Sequence, residues 1–490
     1  MAEKDIDQVG KLTEEQRTIG RIRLNAISPD DGKYGKSADA LRPYLSAEAE
    51  WRACAYIQEL LLETRMEFGQ ASQKNVDEVK AALEKIDPLN MALLEDNVTR
   101  HDQLAVLEEL GRFVSPETKA LLHPGTTSYD VLDTARSLLL KRAWANVMSL
   151  EIAHSLNSLS DLAVRSLGRL QVGRTHLQST SPVTFGGVIA GYAGRLAERT
   201  ERCDLYFKDL RGKISGIVGT GASIDMVVGE GRSLEFEKAV LAKLGLQPDY
   251  TATQIVQKER LTDVGHGLVT LMHVLGDFAN DMRMLYSTAI REVVSRDNSQ
   301  RLGGSSADAG KDNPIDWENI AGKVPVVESG MRVLYAMIQT DFQRDLRGSV
   351  QARYQPNGMM AEVFESFQRL NRKCLPNLSV NEDMMDHNLE YVRKNPSEAM
   401  TAILRGQQWT HSSYGIGHDF VKKMMQQAKK EGIGLLEQSR ADPEFNQLFE
   451  SLPETQKAIL SGKLENYIGS AGQRVEANID YARRIASGQV

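Results

Sequence analysis

Cysteine is scarce in this chain: Cys54, Cys203 and Cys374 are the only three in 490 residues, far apart and odd in number. That count excludes a disulfide framework or a cysteine-rich zinc site, and it fits a reducing compartment. Aromatic residues are also few, at 6%, so a core must come mainly from aliphatic side chains, for which the 41% hydrophobic content is ample. There is no apolar run of about 18 residues, and the segment MAEKDIDQVGKLTEEQ is charged throughout. These absences exclude a membrane-spanning helix and a signal peptide, and a cytoplasmic protein is expected. An excess of positive charge is missing too: Lys plus Arg total 59 against 66 Asp plus Glu, a net charge of −7. The balance argues against a chain-wide nucleic-acid or membrane footprint and leaves room for a local basic pocket.

Proline is unevenly placed, with none between Pro182 and Pro248 or between Pro248 and Pro314. The second gap carries Leu261, Val264, Leu268, Leu271, Leu275, Phe278, Met282, Leu285, Ala289 and Val293 at steps of three and four. This is the seam of a bundle helix, which at ~1.5 Å per residue would run on the order of 50 Å. Similar periodicity extends from Val131 to Leu162 and, less cleanly, from Val183 to Leu210. Alternating apolar and polar runs are scarce, so an all-α fold with a central antiparallel bundle is expected. The expected divisions are an N-terminal helical domain over 1–121, a long-helix bundle over 122–375 and a C-terminal helical domain over 376–490.

Polar, glycine-rich segments interrupt the helices, and chemistry tends to sit in such loops. GIVGTGAS at 216–223 lacks both the Lys-Ser/Thr of a P-loop and a preceding strand, so it reads as a tight turn. Nine histidines include no HExxH pair, and no His/Cys/Asp cluster has ligand spacing, so no metal is expected. No GxSxG elbow is present either.

The order of the remaining segments is more informative. Ser28-Pro-Asp-Asp-Gly-Lys-Tyr-Gly35, Thr99-Arg-His-Asp102, His123-Pro-Gly-Thr-Thr-Ser-Tyr-Asp130, Arg174-Thr-His-Leu-Gln178 and Gly304-Ser-Ser-Ala-Asp-Ala-Gly-Lys-Asp-Asn-Pro314 follow one another. Ile315-Asp-Trp-Glu-Asn319, Gln343-Arg-Asp-Leu346 with Ser349 and Arg353, and Asp386-His-Asn388 complete the series. Over roughly 28–390 the chain resembles the fumarase/aspartase superfamily and, within it, the adenylosuccinate lyase family. The resemblance implies a fumarase/aspartase-like fold, with a long central helical bundle and smaller terminal helical domains. It also implies a homotetramer in which three subunits build each active site, and a cofactor-free β-elimination. The implied reaction cleaves adenylosuccinate to AMP and fumarate, and SAICAR to AICAR and fumarate, in purine biosynthesis.

By the same resemblance, His176 matches the general acid, a role suited to an imidazole whose pKa lies near neutrality. Ser305 matches the general base, with Ser306 as the alternative and Lys311 placed to stabilise an alkoxide. Asn313, Thr127 and Ser128 match donors to the succinyl carboxylate, the last two at a helix start suited to anions. Arg344, Ser349 and Arg353 match a phosphate grip, Lys33 and Tyr34 a second phosphate contact, His101 and Asp102 a pair lining the site, and Gln254 a substrate-orienting amide. The chain departs from the family where Asp308-Ala309-Gly310 replaces a Met-Pro-His/Gln stretch. It departs also where Leu177 replaces glycine, Arg100 an asparagine and Lys33 an arginine. Such changes fit a divergent lyase of this kind, a lyase acting on another N-succinyl compound, or a nucleotide-binding paralogue with weakened catalysis.

Overall fold

A computed structural model describes residues 13–296, 308 and 310–488. In chain order its principal elements are α1 (Ala47–Glu67), α2 (Asp102–Gly111), α3 (Ser128–Ala143), α4 (Ser149–Arg165), β1 (Leu170–Thr175), β2 (Gln178–Thr184) and α5 (Phe185–Lys208), then α6 (Glu259–Tyr286), β3 (Val293–Ser295), α7 (Ile315–Ile338), α8 (Asn357–Arg369), β4 (Leu378–Val380) and α9 (Glu382–Lys394). Among the described residues the strands form only two-stranded pairs. The fold is all-α, as the periodicity implies.

Two of the expected helices need correction in detail. The seam read as far as Val293 ends earlier, at Tyr286, and α6 is 28 residues long, about 42 Å at the usual rise. Beyond it Val293 and Val294 pair antiparallel with Val380 and Ser379, because a β-branched run favours the pleated backbone over helix. The Val131 to Leu162 periodicity is carried by α3 and α4, which are joined through a π-helical turn at Trp144–Met148. In that turn Trp144 stacks on Phe207 at 4.6 Å and 10°, and its indole N–H donates to Asp204 Oδ1 at 3.3 Å.

The chain divides into two compact units. The first comprises residues 1–152, 199–276 and 322–369. Its core is built from Ala53, Ile57 and Leu60 on α1, Val106 and Leu110 on α2, and Val131, Leu132, Ala135 and Leu138 on α3. The spacing of three and four puts each set on one helix face, and each buried Leu or Ile contributes about 1.5–3 kcal/mol. Ser46 starts α1 by accepting from the Ala49 N–H at 3.2 Å, a capping bond worth about 1 kcal/mol. Two glycines of α6 let α7 approach closely. A Cβ on Gly265 would lie 2.1 Å from Leu334 Cδ1, and one on Gly276 would lie 2.3 Å from Val324 Cγ2.

The second unit comprises residues 153–198, 277–321 and 370–490. It contains the β1–β2 hairpin, whose register runs from Leu170 opposite Thr184 to Thr175 opposite Gln178, with a shift between Val172 and Arg174. Farther along the chain Met400, Phe420, Phe445 and Phe449 form a separate apolar cluster, and Trp409 meets Phe420 edge to face at 5.1 Å. All three cysteines are buried. Among the described residues no helix is long and apolar enough to cross a membrane, and no group of three or more His, Cys, Asp or Glu side chains is placed to hold a metal ion.

Candidate active site

In the first unit, Thr127 and Ser128 stand at the start of α3, where the helix dipole favours an anion. A buried ion pair fixes this corner. The Asp130 carboxylate accepts from the Thr127 N–H at 2.7 Å, the Ser215 N–H at 2.9 Å and the Gly216 N–H at 3.1 Å, and it also meets the Lys213 ammonium. Lys213 in turn donates to the Gly216 carbonyl at 3.1 Å. Both side chains are completely buried. GIVGTGAS thus serves as a turn, as the sequence suggests, and its first glycine is clamped to Asp130 at the start of α3. Ser223 ties it to the preceding loop by donating to the Gly125 carbonyl at 2.7 Å.

Next to that corner lies the predicted nucleotide end. Arg344 donates to Gln254 Oε1 at 3.0 Å and to Ser349 Oγ at 3.1 Å, and its guanidinium sits 3.8 Å from the Tyr129 ring centroid. The Tyr129 hydroxyl closes the group by a short hydrogen bond with Ser349 Oγ. Arg344 and Ser349, read together in the sequence, therefore meet Gln254 from a separate segment, and Tyr129 joins them. The sequence signal for Tyr129 is its place between Ser128 and Asp130, one residue into the helix.

Arg353 takes no part in the hydrogen bonds of Arg344. Arg353, His101 and Asp102 instead act electrostatically on Glu95, whose carboxyl is pushed up chiefly by burial and then by Asp102. His101 caps α2 through Nδ1, which accepts from the Leu104 N–H at 3.5 Å. Asp102 and Arg353 border a cavity of about 430 Å³ that reaches Cys54, Gln103 and Arg136. A smaller recess at Arg344, Ser349 and Tyr129 adjoins it, with Asp133, Arg136 and Lys258 lining both. The charges on that shared wall are paired, Arg136 with Glu50 at 2.8 Å and Lys258 with Asp133 at 2.8 Å.

His123 carries no role by the resemblance, yet it lies in the same unit. Gln58 donates to its Nδ1 at 2.9 Å, which leaves the proton on Nε2, and burial lowers its pKa, so the ring is neutral. Lys33 is exposed on the Ser28–Gly35 turn, while the Tyr34 ring lies 4.0 Å from the Lys323 ammonium.

In the second unit, His176 and Leu177 form the two-residue tip of the β1–β2 hairpin, both left-handed at φ 52° and 60°. Such a tip matches the right-handed twist of the strands and ordinarily takes Asn-Gly. Here it holds an imidazole out in solvent. The hairpin is anchored through Arg174, which pairs with the buried Glu292 at 2.5 Å, while Gln171 and Asn388 donate to the same carboxylate at 2.7 and 2.8 Å. Lys311 is exposed and Asn313 half-buried, just ahead of α7. Ser305 and Ser306 lie outside the described residues.

A family model described as a lyase matches residues 33–328. The chain is 27% identical over 475 residues to the adenylosuccinate lyase of Pyrococcus abyssi, covering 94% of this chain and 99% of that one. It is 30% identical over 362 residues to the adenylosuccinate lyase of Bacillus subtilis (71% and 79%). Among solved structures, the fold resembles a 3-carboxy-cis,cis-muconate lactonizing enzyme from Pseudomonas putida (TM-score 0.76, 22% identity, 91% of this chain and 97% of that one). It likewise resembles a fumarate lyase from Mesorhizobium sp. BNC1 (TM-score 0.76, 23% identity, 90% and 97%). The protein is thus an enzyme of the lyase class, built on the all-α fold of the fumarase/aspartase superfamily. Within that class the chain belongs to the lyase family matched over 33–328.

Proposed function

We propose that this lyase cleaves adenylosuccinate to AMP and fumarate, and SAICAR to AICAR and fumarate. The observation that carries the reading is the convergence of Arg344, Ser349 and Gln254 on one another beside the anion-suited start of α3. Such an arrangement suits a substrate with a phosphate at one end and a succinyl carboxylate at the other. The names of the relatives from Pyrococcus abyssi and Bacillus subtilis support the same choice.

In the proposed mechanism the general base, Ser305, removes the succinyl Cβ proton, and the electron pair left behind is held as an aci-carboxylate by Thr127, Ser128 and Asn313. The pair then forms the Cα–Cβ double bond as the C–N bond breaks, and His176 protonates the departing amine. Lys311 lowers the cost of the serine alkoxide. Arg344, Ser349 and Arg353, with Lys33 and Tyr34, bind phosphate, Gln254 orients the substrate, and His101 and Asp102 line the pocket. The exposure of His176 at the hairpin tip supports a reading in which the acid serves a site on a neighbouring subunit of a homotetramer.

The test is direct: incubation with adenylosuccinate should yield AMP and fumarate in equal amounts, and absence of turnover at high enzyme concentration rejects the reading. His176→Gln and Ser305→Ala should each lower kcat by at least ~100-fold; wild-type kcat in both removes the acid and base assignments. A second reading, elimination from a different N-succinyl amine, is favoured by Leu177 at the hairpin tip and by Asp308 and Gly310 ahead of Lys311. Turnover of another succinyl amine in place of adenylosuccinate would select it.

A further inference from the structure

A buried charge cluster lies beneath the Ser28–Gly35 turn, apart from the groups assigned above. Lys323 of α7 is buried, and its ammonium lies 2.5 Å from Glu362 and 2.6 Å from Glu365, both on α8. Arg369, one helical turn farther along α8, pairs with Glu365 at 2.6 Å. The same ammonium faces the Tyr34 ring at 4.0 Å, a cation–π contact. From the turn itself Asp30 comes close to Glu362, and burial and that neighbour push its pKa up to about 7. Asp31 is drawn outward to Arg42 at 2.9 Å.

Fully ionised, the group would hold three carboxylates against Lys323 and Arg369. The raised pKa of Asp30 relieves that excess of negative charge. Burying this much charge is a poor way to gain stability, since apolar side chains of the same volume do as well or better. Its geometric effect is specific: one ammonium grips the turn at the Tyr34 ring, and one of its carboxylate partners stands close to Asp30 of the same turn. Within the turn, the Gly32 N–H donates to the Ser28 carbonyl at 3.0 Å and the Tyr34 N–H to the Pro29 carbonyl at 2.9 Å. Lys33 lies between those two bonds.

We propose that Lys323 is a positioning residue for the substrate's phosphate: through Tyr34, and through Glu362 to Asp30, it sets the turn that presents Lys33 and Tyr34 to the anion. The inference rests on the reading of Lys33 and Tyr34 as phosphate contacts. Two readouts keep its failure separate from failure of the proposed function. In steady-state assays with adenylosuccinate, Lys323→Gln should raise KM about tenfold or more while kcat stays within about twofold, the pattern of lost ground-state binding. Lys323→Arg, which keeps the charge and the cation–π contact, should restore KM. In amide hydrogen exchange, Gly32 and Tyr34 should lose protection in Lys323→Gln and regain it in Lys323→Arg. The exchange measurement needs no substrate, so it decides the role of Lys323 even if adenylosuccinate is not turned over.

An unchanged KM, a fall in kcat at constant KM, or intact protection of the turn overturns the proposal. Should Lys323→Gln fail to fold, Asp30→Ala decides in its place. It cuts the turn from Glu362 without emptying the ion cluster, and wild-type KM with wild-type exchange in that variant overturns the proposal.

Discussion

The Lys213–Asp130 pair offers the sharpest test of how the start of α3 is held in place. Lys213→Met keeps the volume of the side chain but removes its charge. The Asp130 carboxylate then keeps its N–H donors from Thr127, Ser215 and Gly216 and loses its cation, in a place where neither side chain touches water. Breaking a buried pair from one side costs about 3–5 kcal/mol. That is a large share of the ~5–15 kcal/mol that holds a typical domain folded. Asp130→Asn should cost a similar amount, because an amide has one acceptor oxygen for three N–H donors and leaves the ammonium unpaired. In Lys213→Met/Asp130→Asn both charges are gone, and the loss should be smaller than the sum of the single losses by at least ~2 kcal/mol, the coupling of residues in direct contact. Urea unfolding followed by circular dichroism gives the midpoints, with an unchanged slope marking a change in stability alone. Additive losses, or single variants within ~1 kcal/mol of wild type, would refute the view that the pair clamps this corner.

Other consequences can be measured independently. Gly265→Ala should destabilise by about 1–3 kcal/mol through overpacking against Leu334, and a thermal midpoint equal to wild type would contradict the close approach of α6 and α7. Leu177→Gly should stabilise by about 0.5–1 kcal/mol, since a side chain at φ 60° is strained; urea denaturation would expose the error if stability fell. Arg344→Lys should raise KM about tenfold because one ammonium cannot hold Gln254, Ser349 and a phosphate together, and an unchanged KM in the steady-state assay would exclude it from the grip. The pH dependence comes from two carboxyls. Burial and a neighbouring carboxyl raise Asp30 from 3.8 and Glu59 from 4.5, each to about 7. The folded state therefore holds these protons more tightly than the unfolded chain. Their stabilising contribution is complete below about pH 4 and is lost as pH rises through about 7. Thermal midpoints of Asp30→Asn/Glu59→Gln should fall less over that range than those of wild type, and parallel curves would argue against the shifts.

Helical content, the long seam of α6 and the convergence of Arg344 with Ser349 were legible in the sequence, because periodicity and local motifs carry them. The end of α6 was not. Ala289 and Val293 continue the apolar rhythm, and only pairing with Val380 and Ser379 settles them outside the helix. Nor did the sequence single out Lys213, Glu292 or Lys323. A lone lysine or glutamate reads as surface charge, and its burial is decided by partners 83, 118 or 39 positions away, at Asp130, Arg174 and Glu362. The exposed setting of His176 depends on a two-residue tip where the ordinary Asn-Gly signal is absent.

The π-helical turn at Trp144–Met148 has a consequence for any change of chain length there. Such a turn holds one residue more than an α-helix would over the same span, so it works as an in-line insertion that resets the phase of the helix beyond it by about 100°. Deleting a single residue between 144 and 148 would take out that extra residue and return the segment to regular α-helix, with Ile152, Leu156, Leu159 and Ala163, now buried, kept on their packed face. A second deletion would have no extra residue to absorb it and would turn that whole face by about 100° at once, whereas a substitution at Trp144 would act only where its ring meets Phe207.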